Sequence, residues 1–104
     1  MAASKYEKDK IIGEILKALD YQDEREAIID ITVLSASGKH AEFSEEVQRF
    51  EKKYGMAYKE FVKKISSKED EEDFSEEDDL MAWRFAKEGA EFWRKKLEEL
   101  KSVL

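Results

Sequence analysis

Chemistry in this chain would have to come from carboxylates, because few other reactive side chains are available. Twenty-six of its 104 residues are Asp or Glu, and nine of them fall between Glu69 and Asp79. A cluster of this kind could hold a divalent cation or supply an acid–base pair. The run lacks the Asp-x-Asp-x-Asp-Gly spacing and turn glycine of a calcium loop. In so acidic a chain, close carboxylate pairs also arise without any catalytic role. His40 is the only histidine and Cys is absent, so neither a zinc site nor a Cys–His nucleophile pair can be assembled. Placed two residues after Gly38, His40 is expected in a turn. Gly13, Gly38, Gly55 and Gly89 are isolated, and none begins a phosphate-cradling loop. No catalytic residue, metal or cofactor is expected; a self-associating structural protein is kept as the rival reading, and behind it a carboxylate-based metal-dependent enzyme.

The elements that would carry these residues read as helices. Ser4 and Glu7 have the spacing of a capping box. Ile12, Ile15, Leu16 and Leu19 follow at i, i+3, i+4 and i+7, predicting a helix over about 5–20. Residues 27–37 read two ways. Ile29, Ile31 and Val33 alternate with Asp30 and Thr32 as in a short strand at about 28–34, yet Ala27, Ile31 and Leu34 have helical spacing. Helix is favoured, since an isolated strand would find no partner here. Ser35-Ala-Ser-Gly38 is expected to break or bend it.

Phe43, Val47, Phe50 and Tyr54, spaced 4, 3 and 4, make an apolar stripe that ends at Gly55, suited to a left-handed C-terminal cap. With Ala57 as N-cap, Met56 faces Phe61 as a hydrophobic staple, and Tyr58, Phe61, Val62 and Ile65 share one face. A helix–Gly–helix corner is therefore predicted. Residues 66–74 are expected to form an acidic mobile loop, and Ser75 to cap a long last helix over about 75–101. There Trp83, Ala86, Ala90, Trp93, Leu97, Leu100 and Leu104 repeat at 3-4-3-4-3-4. Met81, Phe85 and Phe92 widen the stripe enough to pack against more than one helix.

Together these readings give an all-α fold, a small bundle of four to five helices in one domain spanning 1–104. The long C-terminal helix, with its heptads, is expected to form a homodimer. Charged residues make up 43% of the chain against roughly 25% in an average domain, with net charge −7. Together with the lack of Asn and Cys and the presence of only two Gln, this is a thermophile-like composition. A chain so acidic is a poor match for phosphate backbones, so nucleic acid is not expected as a partner. No stretch approaches the ~20 apolar residues of a membrane span, and no signal peptide is visible; a cytoplasmic protein is expected. The aromatics Trp83, Phe85, Phe92 and Trp93 read first as core, as an aromatic stripe at helical spacing usually is, and otherwise as the candidates for contact with another protein. The acidic residues Glu69, Asp70, Glu71, Glu72 and Asp73, which would steer a basic partner, join them.

Two segments carry a family resemblance. Phe50-Glu-Lys-Lys-Tyr-Gly-Met56 with Lys59-Glu-Phe61, and Glu77-Asp-Asp-Leu-Met-Ala-Trp83 with Phe85 and Ala86, resemble small archaeal and cyanobacterial proteins. These are encoded beside a toxin-like partner and suspected to be its antitoxins. The likeness spans about residues 42–100. Two positions depart from it: Ala57 stands where a capping Ser, Thr or Asp is usual, and Ala82 where an acidic residue is common. The resemblance implies a non-catalytic module whose partner is a small, basic, toxin-like protein, and it supplies no catalytic residue.

Overall fold

The computed structural model describes residues 4–67 and 74–104. Its fold is all-α, with helices α1 (Lys5–Ala18), α2 (Glu24–Tyr54), α3 (Tyr58–Ser66) and α4 (Phe74–Val103), and no strand among the described residues. The contacts group the chain into two compact units, Met1–Ser35 and Ala36–Leu104.

In the first unit each helix end has an identifiable stop or start. Ser4 Oγ accepts from the Glu7 N–H at 3.1 Å, forming the predicted N-cap of α1. At the other end the chain turns through Asp20 at φ 64°. The Tyr21 N–H donates to the Leu16 carbonyl and the Asp20 N–H to the Lys17 carbonyl, both at 3.0 Å. This pair of bonds is a Schellman cap, with Asp in the left-handed position that Gly usually fills. Asp23 then caps α2, its Oδ1 accepting from the Glu26 N–H at 2.8 Å, while Glu26 accepts from the Gln22 N–H at 3.1 Å. Tyr21 reaches into the first turns of α2 and donates its hydroxyl to Asp30 at 2.7 Å. That bond to a carboxylate holds the Tyr21 phenol above its ordinary pKa.

Apolar burial in this unit is slight. Ala27 is buried, but α1 buries none of its residues. Ile11, Ile12, Ile15 and Leu19 on α1, with Ile28, Ile31 and Leu34 on α2, are each between 51% and 74% exposed.

The second unit holds the larger core. Along its part of α2, Ala36, His40, Phe43, Val47, Phe50 and Tyr54 recur at 4-3-4-3-4, and every one is buried or half-buried. That continuous stripe explains why α2 runs unbroken through Ser35-Ala-Ser-Gly38, where a break was expected. Ser and Gly each cost less than about 1 kcal/mol inside a helix. Burial of Ala36 and then of Phe50 on the same face outweighs those penalties. His40 therefore lies within α2, not in a turn, with Nε2 3.5 Å from Ser44 Oγ. The alternating residues at 28–34 are helical as well.

The corner forms as the sequence indicates. Gly55 takes φ 65°, and its N–H bonds the Glu51 carbonyl at 2.7 Å. Ala57 is the N-cap of α3, with extended backbone and no side-chain bond to the helix amides. The short α3 is strongly amphipathic: Phe61 is fully buried, Tyr58, Val62 and Ile65 half-buried, and Lys59, Glu60, Lys63 and Lys64 exposed. Helix α4 starts at Phe74, one residue ahead of the predicted Ser75 cap.

Trp83, at 0% exposure, is the hub of this unit. Its ring stacks on Phe50 (centroids 5.6 Å apart) and Tyr54 (6.0 Å), and packs against Phe61 (5.3 Å) and the edge of Tyr58 (5.7 Å). Met56 and Leu80 pack around the cluster. The Trp83 Nε1–H finds no acceptor among the described residues; an orphaned buried donor of this kind costs about 1–3 kcal/mol. The helices α2 and α4 run antiparallel here, as shown by the facing pairs Lys53–Asp79, Phe50–Trp83 and Phe43–Gly89.

Candidate interaction surface

Helix α4 carries two apolar faces. At ~100° of rotation per residue, Trp83, Ala86, Ala90, Trp93, Leu97 and Leu100 share one side and are buried or half-buried. Phe74, Met81, Phe85 and Phe92 line up on the far side of the same helix, and all are exposed. A helix apolar on two sides has more to cover than one neighbour can supply. Phe85 is 67% exposed and Phe92 50%; for side chains of this size that is a substantial desolvation left undone.

The four aromatic candidates therefore separate. Trp83 is core and has no surface with which to touch a partner. Trp93 is half-buried, its ring edge-on to Phe92 at 5.1 Å. Phe85 and Phe92, one heptad apart, are the two on the outward stripe. Glu69, Asp70, Glu71, Glu72 and Asp73, with most of the expected loop at 66–74, lie outside the described residues. Met81 and Phe74 complete the stripe. The sequence showed Met81 as off the heptad seam but not that the seam alone fills the core.

Position on the helix is fixed by packing from behind. Phe43 meets Phe85 edge-on at 5.6 Å, and its ring lies against Gly89 so closely that a Cβ there would fall 2.7 Å from it. A groove of about 320 Å³ opens beside Phe85, its floor Phe43, Ala82, Phe85 and Ala86 and its rim Lys39, Glu42 and Glu46. On the other flank, a depression of about 470 Å³ joins Phe92 and Tyr58 to Arg84, Lys87, Glu88, Glu91 and Lys95. Apolar floors with charged rims are the anatomy of protein-binding surfaces. Ala82 leaves the first floor uncharged.

The surrounding charges are mostly self-satisfied. Arg94 donates to Glu91 and Glu98, each at 2.6 Å, and Arg84 to Glu88 at 3.0 Å. Arg94 and Arg84 are held above, and Glu91 below, their ordinary pKa values by these bonds. Asp79 ties the start of α4 to the end of α2: it accepts from Lys53 Nζ at 2.5 Å and from the Tyr54 hydroxyl. Those two bonds hold its carboxyl below the usual carboxylate range. No group of three or more His, Asp or Glu side chains that could hold a metal is present among the described residues. No helix among them is long and apolar enough to cross a membrane. No family model, curated protein or solved structure matches the chain.

Proposed function

We propose that this protein is a non-catalytic protein-binding module whose contact surface is the outward stripe of α4. The observation that carries this reading is the second apolar face, with Met81, Phe85 and Phe92 exposed on a helix whose opposite face is anchored in the core. Phe and Met are the side chains enriched at recognition surfaces, Met because it adapts its shape to a partner. The groove beside Phe85 suits an amphipathic helix laid along α4. The family resemblance narrows the partner to a small, basic, toxin-like protein encoded nearby, which the module would neutralise by covering it. Net charge −7 supports a basic partner, since complementary charge speeds encounter.

Co-expression with the product of the adjacent reading frame tests this. A stoichiometric complex is expected, and Phe85→Ser with Phe92→Ser should abolish it while leaving helicity and the Trp83 environment intact. A complex indifferent to the double substitution would remove the α4 stripe from the account.

A further inference from the structure

We infer that the helical hairpin of the first unit is a homodimerisation surface, covered in solution by the same hairpin of a second copy. The stripe of α1 and its C-cap, made of Ile11, Ile12, Ile15 and Leu19, is half or more exposed, and Leu16 alone on α1 is half-buried. A 14-residue helix with so little buried is marginal in water, so α1 gains from a cover whenever the protein is folded. A transient partner is not always present, whereas a second copy is supplied with every chain.

Composition separates this surface from the α4 stripe. Seven of the eight exposed large apolar side chains of the hairpin are Ile or Leu, with Tyr6 the exception, close to the makeup of an obligate interface that resembles a core cut in half. On α4 four of the five, Phe74, Met81, Phe85 and Phe92, are the aromatic and Met side chains that mark recognition surfaces, with Val103 the exception. At roughly 100 Å² of side chain for each fully exposed Ile or Leu, the seven would remove about 400 Å² of apolar area per copy. Doubled across a pair and joined by an ordinary polar rim, this reaches the ~1,200 Å² of a standard interface.

Sedimentation equilibrium of the full chain, at tens of micromolar, tests the inference. A dimer of twice 12.2 kDa is expected, with Ile15→Glu shifting it to monomer by a hundredfold or more in Kd and Phe85→Ser leaving it unchanged. Trp83 fluorescence checks that the second unit stays folded in each variant. The chain has no cysteine, so Ile12→Cys and Ile15→Cys, which leave the aliphatic face largely intact, should form an intermolecular disulfide on mild oxidation. A monomeric wild type, or a dimer that survives Ile15→Glu and breaks with Phe85→Ser, would overturn it. A monomer in which α1 amides are protected from exchange would do so too, showing that the stripe is covered within one chain. Of these outcomes only a dimer broken by Phe85→Ser bears on partner binding by α4, because it would place a second copy on that stripe.

Discussion

Gly89 and Gly13 are both helical glycines, and their surroundings give them opposite tolerances. Replacing a helical Gly with Ala ordinarily stabilises by about 1 kcal/mol. Gly13 has nothing within 4 Å of an added Cβ, so Gly13→Ala should raise the melting temperature. At Gly89 the new methyl would meet the Phe43 ring at 2.7 to 2.8 Å. Gly89→Ala should therefore cost about 1–3 kcal/mol through overpacking, and thermal melts of the two variants side by side check the contrast. Between the tryptophans, Trp83→Ala should cost about 3–5 kcal/mol, the value for a fully buried aromatic, and half-buried Trp93→Ala distinctly less. Urea titrations that reverse this order would displace Trp83 from the hub. Asp79 links stability to pH. Its folded pKa is depressed, so its contribution is full above the unfolded carboxylate value of about 4 and is lost as pH falls through the lower folded value. In an acid titration of stability, Asp79→Asn should lose about 1 kcal/mol at neutral pH and flatten the decline below pH 4.

Helix ends show which parts of the fold local sequence specifies. The Ser4 cap, the Gly55 corner and the Ala57 start were legible, because each is set by residues within one turn. The stop after α1 was not: its left-handed residue is Asp20, and Asp signals starts and turns more often than C-terminal caps. Asp20→Gly should relieve the positive φ and Ala57→Ser should supply the missing cap, each adding up to about 1 kcal/mol, as read by chemical denaturation. The continuity of α2 was legible only in part. The 4-3 spacing from Ile29 to Tyr54 stands in the sequence, but His40 interrupts its apolar character, and Ser35-Ala-Ser-Gly38 carries a local breaking signal. Tertiary burial of Ala36 decided the matter, and tertiary burial is not local information. The same limit applies to α4. Its heptads marked a face, while the separation of Phe85 and Phe92 from Trp83 and Trp93 depends on which face α2 and α3 fill.

For the molecule as a whole, two kinds of uncovered surface have different makeups. Apart from Tyr6 the first unit offers Ile and Leu, suited to permanent burial, and apart from Val103 α4 offers Phe and Met, suited to recognition. A homodimer was expected from the C-terminal heptads; Trp83 and Ala86 of those heptads are buried in the chain's own core, and the self-association proposed above uses the aliphatic hairpin. The central claim is that the outward stripe of α4 meets a different protein. Site-specific photo-crosslinking in the native host tests it most directly, with a photoreactive residue at position 85 or 92 and a control at position 30. The account predicts one discrete adduct with a small basic protein from positions 85 and 92 and no such adduct from position 30. Adducts only with a second copy of the chain, or none at all, would contradict it.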